Sequence, residues 1–227
     1  MIKYHFSQNE IDKCEEFGRR IAWKHPHFKD SRNTETRTFN QVKGDVTRGK
    51  LAEIAVHSIL TKNLDMADIS PIDFNVYPKG VADQGDIVCN DLTISIKSSK
   101  PIASCLLIET ARFSYDDNNT PIQIDNQPLP DYFTFVKIDE EKREAIICGI
   151  SSFEHFWNNK TFLPRGMVIN YVNAQKAMLD KIPVNELPSS KGVPLLADNF
   201  GLHIKQLQPF EPTLFKPKPM EQLELIF

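Results

Sequence analysis

The stretch Gly85-Asp-Ile-Val-Cys-Asn-Asp-Leu-Thr-Ile-Ser-Ile-Lys97 decides how this chain is read. Val88 and Cys89 lead into Asn90-Asp91, residue types that tolerate the positive φ angles of a two-residue hairpin turn, and Leu92 to Ile96 resumes a β-rich alternation. With Asn90 and Asp91 as the turn, Cys89 stands opposite Leu92, Val88 opposite Thr93, Ile87 opposite Ile94 and Asp86 opposite Ser95. The strand period of two then sorts the faces. Ile87, Cys89, Leu92, Ile94 and Ile96 form one apolar face, while Asp86, Val88, Thr93, Ser95 and Lys97 share the other.

A carboxylate and a lysine on one face of a sheet suit phosphodiester hydrolysis. A carboxylate can hold Mg²⁺, which prefers oxygen ligands, polarises the phosphate and acidifies an attacking water. A lysine can orient that water or offset the charge that develops on the phosphate. The pattern resembles the PD-(D/E)XK nuclease superfamily, the fold of many type II restriction endonucleases, whose signature is an Asp opening one strand and an acid-x-Lys triplet on the next. Asp86 matches the first element and Lys97 the last; Ser95 stands where the second acid belongs, a Ser-x-Lys variant. The resemblance covers about residues 40 to 160. It implies a mixed α/β fold of the restriction-endonuclease type, a central mixed sheet flanked by helices with a C-terminal elaboration. It also implies Mg²⁺, with Mn²⁺ as a substitute, and double-stranded DNA as substrate.

By that resemblance Asp86 and the Ile96 carbonyl are metal ligands and Lys97 positions water. The acid absent at Ser95 must come from elsewhere. Glu53, in Gly49-Lys-Leu-Ala-Glu53, lies on an expected helix where Leu51, Ile54, Ala55 and Ile59 recur at helical spacing, with Thr47 or Asp45 as a cap. Its alternative role is an ordinary helix Glu paired with Lys50 or His57. Glu109, in the expected strand Leu106 to Ile108 and its end, is the second candidate and ranks below Glu53. Asp83 is a spare acid ranked below Asp86. Ser98, Ser99 and Lys100 follow the triplet, where such residues can reach phosphates or base edges.

From Arg19 to Lys50 nine basic residues stand against Asp30, Glu35 and Asp45. Arg37, Lys43, Arg48 and Lys50 from this segment are expected DNA contacts, the competing reading being a solvated loop. The overall charge of −3 excludes a strongly basic, nonspecific nucleic-acid binder. No apolar run spans a membrane and no signal-peptide pattern opens the chain, so a cytoplasmic protein without a membrane partner is expected. Cys14, Cys89, Cys105 and Cys148 lack zinc spacing and read as reduced, packed thiols. No Walker loop or dinucleotide fingerprint implies a nucleotide cofactor.

At 227 residues and 41% hydrophobic content the chain can bury one substantial core. Residues 1–165 are expected to form a nuclease core with an N-terminal helix and basic arm, and 166–227 an elaboration with a Pro-rich tail, together one domain. A helix is expected over Gln8 to Trp23 with Ser7 as its cap, and irregular chain over residues 24–46. Phe74 to Tyr77 is a candidate strand and Asn118 to Pro130 a polar loop. Asp131 to Ile138 and Ala145 to Ile150 are apolar strands around a charged turn. Ser151-Ser152 opens a helix in which His155, among Phe153, Phe156 and Trp157, has a packing role. Met167 to Val172 is a candidate strand and Val172 to Leu179 a candidate helix; Asn185 to Gly192 is a link, and Leu223 to Phe227 an apolar end able to dock.

The function these readings imply is a type II restriction-like endonuclease, working as a homodimer on a palindromic site. The alternatives are a repair or recombination nuclease of the same fold and a DNA-binding protein that keeps the scaffold without the chemistry.

Overall fold

Four residues are too few to show a period, and the first strand, β1 (Ile2–His5), is visible only through its partner in the sheet. The computed structural model describes residues 1–24, 37–65, 67–76, 86–124, 127–188 and 194–216. Helix α1 (Gln8–Lys24) follows β1 and matches the expected helix. Its start is a reciprocal cap: the Ser7 N–H donates to Glu10 Oε2 at 2.8 Å while Ser7 Oγ accepts the Glu10 N–H at 3.3 Å.

Helix α2 (Phe39–Asn63) corrects the expectation of irregular chain up to residue 46 and of a cap at Asp45 or Thr47. Thr38 is the cap: its hydroxyl accepts the Gln41 N–H at 3.3 Å and Gln41 Oε1 accepts the Thr38 N–H at 2.7 Å. The Thr-x-x-Gln capping box is a sequence signature and satisfies two donors that a helix end otherwise leaves open. The basic stretch behind it obscured the helical period. Residues 25–36 of the expected arm lie outside the described residues.

The hairpin β2 (Ile87–Cys89) and β3 (Leu92–Ser99) has the expected register, Ile87 opposite Ile94, Val88 opposite Thr93 and Cys89 opposite Leu92. Asn90 and Asp91 take φ of 48° and 65°, both left-handed, which matches the right-handed twist of the flanking strands. Phe74 to Val76 form no strand; Phe74 instead packs edge-on against Phe17 of α1, centroids 5.5 Å apart. Tyr77, Asp83 and Gly85 lie outside the described residues.

After β4 (Cys105–Glu109), strands β5 (Phe113–Tyr115), β6 (Pro121–Ile124) and β7 (Gln127–Pro128) make a small antiparallel sheet. This replaces much of the loop expected over residues 118–130. Ile122 and Gln123 face outward there, so the strand carried little apolar signal. Strands β8 (Tyr132–Asp139) and β9 (Glu144–Ser152) form the expected hairpin. Helix α3 (Phe153–Asn159) is capped by Ser152, whose hydroxyl accepts the His155 N–H at 3.1 Å. Strand β10 (Thr161–Leu163), helix α4 (Tyr171–Met178) and strand β11 (Asn199–His203) follow. Between β10 and α4 the expected strand reduces to one bridge, Val168 with Pro194.

The fold is mixed α/β. The main sheet has the order β1-β9-β8-β3-β2, antiparallel except for the parallel pair β3/β8, and a second sheet runs β10-β11-β4. On one face of the main sheet, Leu51, Ile54 and Ala55 of α2 pack on Ile87, Ile94, Ile96, Val136 and Ile147, with Phe210 and Phe215 closing the margin. On the other face Phe133 and Phe135 meet Phe156, Leu106 and Leu202. The C-terminal third is thus woven into both layers: β11 pairs with β4, and Gln208 exchanges backbone hydrogen bonds with Ile150 at 2.9 Å each. Residues 217–227, including the expected apolar end, lie outside the described residues.

Candidate functional site

The hairpin ladder stops at Ile87 opposite Ile94, and the side chain of Asp86 takes over where it ends. Asp86 Oδ2 accepts the Ser95 hydroxyl at 3.3 Å and also the backbone N–H of Ile96. A strand end leaves an N–H that must find a partner, and a carboxylate is a stronger acceptor than a carbonyl. Among the described residues both donors go to Oδ2 and none to Oδ1. The expected opposition of Asp86 and Ser95 is therefore a direct contact.

Lys97 lies two residues beyond Ser95, half-buried, beside Phe135 in the parallel pairing, as Ser95 lies beside Phe133. Alternation sends Ser95 and Lys97 to the side of Phe133 and Phe135, away from the α2 layer that covers Ile94 and Ile96. The start of β8 is fixed by Asp131, whose Oδ2 accepts the Thr93 N–H at 2.7 Å and the Thr93 hydroxyl at 2.8 Å. This contact aligns β8 with the triplet strand. The sequence offered no local signal for it, since Thr93 and Asp131 are far apart in the chain.

Glu53 comes from the helix layer on the opposite side of the sheet. It is only 7% exposed, and its Oε2 receives the ammonium of Lys50, itself 6% exposed, at 2.6 Å. The Lys50 ammonium also stands 5.4 Å from the Phe17 ring centroid and 5.9 Å from that of Phe74. The pairing with Lys50 was the alternative role of Glu53, and it is realised inside the protein where each charge needs a partner. Nearby, burial first and the Glu53 carboxylate second push the Cys14 thiol up to about 12. Glu109 ends β4 in the second sheet, opposite Asn199.

The expected DNA contacts fall into two groups. Ser98 and Ser99 are half-buried at the end of β3, opposite Val136 and Lys137, and Lys100 is exposed just beyond. Arg37, Lys43, Arg48 and Lys50 lie at or on α2 and face acids. Arg37 meets Asp45 at 3.6 Å, Lys43 meets Glu15 at 3.1 Å, and Arg48 meets both Asp45 and Glu140 at 3.0 Å. Partly exposed pairs of this kind contribute roughly 0–1 kcal/mol, little enough for a phosphate to displace the acid. Lys50 differs, because its burial with Glu53 keeps it from a phosphate on the surface.

Any metal here would be held by hard oxygen donors: the Asp86 carboxylate, the Ile96 carbonyl and the Ser95 hydroxyl. That all-oxygen donor set suits Mg²⁺ or Mn²⁺ better than zinc, which favours sulfur and nitrogen. Among the described residues no group of three or more His, Cys, Asp or Glu is arranged to hold a metal ion. His155 is anchored structurally, its Nε2 lying 3.0 Å from the Gln206 carbonyl. Of the cysteines, Cys14, Cys89 and Cys105 are buried and all four are free thiols.

A feature outside the sequence-derived set is the aromatic cleft between β5, α3 and β11, about 520 Å³, with Phe113, Tyr115, Trp157 and Phe200 around Lys160. Its sequence trace is slight: Phe153 and Trp157 are one helical turn apart, and the other rings come from distant strands. No described helix is long and apolar enough to cross a membrane. No protein-family model, no curated protein and no solved structure matches this chain.

Proposed function

We propose that the chain is a Mg²⁺-dependent endonuclease of restriction-endonuclease-like fold, cutting double-stranded DNA at a specific sequence in the manner of type II restriction enzymes. The observation that carries this reading is the contact of Asp86 with Ser95 and the Ile96 N–H, with Lys97 next along the same face. Asp86 and the Ile96 carbonyl would hold the metal, and Glu109 would supply the remaining acid, since Glu53 lies across the sheet in its buried pair with Lys50. The ion, when bound, polarises the phosphate and acidifies a water. Lys97 orients that water and offsets charge on the phosphate. Ser98, Ser99, Lys100, Arg37, Lys43 and Arg48 would face the backbone. A homodimer cutting a palindrome in the cytoplasm completes the proposal.

A second reading is favoured by two observations: Ser95 brings no charge, and Glu53 already neutralises Lys50. These suit a DNA-binding protein that keeps the scaffold without cutting. Incubation of the pure protein with mixed plasmid and phage DNA and Mg²⁺ separates the readings. Discrete fragments that disappear in Asp86→Asn support restriction; structure-dependent nicking points to a repair nuclease; binding without cutting supports the inactive scaffold.

A further inference from the structure

The cleft at Trp157 has features that the hairpin site does not use. Four rings line it from three separate elements: Phe113 and Tyr115 of β5, Trp157 of α3 and Phe200 of β11. Trp157 is the hub, with centroids 5.5 Å from Phe113, 6.2 Å from Tyr115 and 5.5 Å from Phe200. Behind it Phe153 stacks at 13°, fixing the indole plane. Rings held from several elements form a rigid wall, and at about 520 Å³ the cleft lies in the range of small-ligand sites, roughly 300–1,000 Å³.

Lys160 selects what can enter. Its Nζ sits 3.5 Å from the Trp157 ring centroid and donates to the Trp157 carbonyl at 2.9 Å. A cation already lies on the aromatic face, so a second cation, such as a methylated ammonium, would meet like charge. Among the described residues no carboxylate is within ion-pair reach of Lys160, and burial holds its pKa below the usual lysine range. An ammonium so placed favours an anion beside a planar ring. In the adjoining loop Asp116 Oδ1 accepts the N–H groups of Asn118 at 2.9 Å and Thr120 at 2.8 Å, and Asp116 and Asp117 are both exposed.

We infer that this cleft binds a single nucleotide of DNA displaced from its stack, the base against the exposed Tyr115 ring beside the edge of Trp157, whose faces are taken by Lys160 and Phe153, and its phosphate at Lys160. DNA as the source rests on the nuclease reading above. Stacking against aromatic side chains with a nearby cation is the general chemistry of unpaired-base recognition. Asn119 at the rim, with positive φ of 61°, adds an amide that can read a base edge.

The test uses the full chain with Trp23→Phe, which leaves Trp157 as the single tryptophan; Trp23 is 72% exposed, so the change is tolerated. Trp157 fluorescence is titrated with each of the four deoxynucleoside 5′-monophosphates. Saturable quenching by at least one is expected, weakened about fivefold or more by Lys160→Met and by Tyr115→Ala in proteins whose melting temperature is unchanged. Deoxyribose 5-phosphate should leave the signal flat. The inference is overturned by the absence of saturable quenching with any nucleotide at about 10 mM, which corresponds to roughly −3 kcal/mol. Quenching insensitive to both variants, or saturation by tetramethylammonium instead, also overturns it. Absent quenching beside intact Mg²⁺-dependent cleavage removes the cleft alone, whereas quenching without cleavage supports the cleft and removes the nuclease reading alone.

Discussion

Asp86 and Ile96 are joined by a hydrogen bond from the Ile96 N–H to the Asp86 carboxylate, which occupies the place of the next rung in the β2/β3 ladder. The Ser95 hydroxyl donates to the same oxygen at 3.3 Å. The acid therefore has a structural duty as well as its proposed catalytic one. Asp86→Asn separates the two, because an amide oxygen still accepts the Ile96 N–H but carries no charge. We predict a fold and melting temperature near wild type, with Mg²⁺-dependent DNA cleavage lost by about 100-fold or more. Undiminished cleavage by this variant would remove the site assignment.

Glu53 and Lys50 form a buried pair, so breaking it by half is costly. Glu53→Ala should lower stability in urea unfolding by about 3–5 kcal/mol, because it strands a buried ammonium. Replacing both, as Lys50→Met with Glu53→Leu, should recover much of that loss. Only cleavage measured on the folded fraction then tells whether Glu53 also serves the metal. Glu109→Ala, at a half-buried strand end, is expected to cost far less.

Gly18 lies where α1 closely approaches α2. A Cβ there would fall 2.7 Å from the Lys43 carbonyl and closer still to Thr47 Oγ1. Gly18→Ala gains about 1 kcal/mol of helix propensity, but the overlap is with backbone and costs about 1–3 kcal/mol or more. A net loss of stability in chemical denaturation is expected. An increase would show that the helices can separate freely.

Gly149 lies where β9 bulges opposite Phe135 and Val136, leaving Cys148 as the extra residue. A Cβ at Gly149 would meet the Gln208 carbonyl at 2.6 Å and Leu207 Cβ at 2.8 Å. Gly149→Ala should push the C-terminal segment off the sheet edge. Hydrogen exchange reads this directly: the Ile150 and Gln208 amides, each bonded at 2.9 Å, should lose protection first.

His203 is fully buried, with Nδ1 accepting the Lys205 N–H at 3.2 Å and Nε2 without a hydrogen-bond partner among the described residues. Burial, then the charges of Lys205 and Lys137, holds its pKa below the ordinary 6.5. The unfolded chain thus binds the proton more readily, so stability rises with pH through this window. The contribution is complete above about 6.5 and is lost as pH falls from there toward the lower folded-state value. Burial lowers the His57 pKa too, in the same direction. Melting temperature should drop below pH 6.5, and the slope should be shallower in His203→Phe. An unchanged slope would place the titration elsewhere.

The hairpin was legible because its information is local. Asn90-Asp91 specifies the turn, alternation specifies the faces, and together they fixed the register that brings Asp86 to Ser95. The helix over Gln8–Lys24 and the β8/β9 hairpin were legible for the same reason. The extension of α2 back to Phe39 was also written in the chain, as the Thr38-x-x-Gln41 box, but its polar first turns hid the helical period. Tertiary structure decided the rest. Only the fold ties Asp131 to Thr93, or gathers Phe113, Trp157, Phe200 and Lys160 around one cleft. Such contacts join residues distant in sequence, and what makes them favourable is burial and charge pairing, which exist only once the layers have packed.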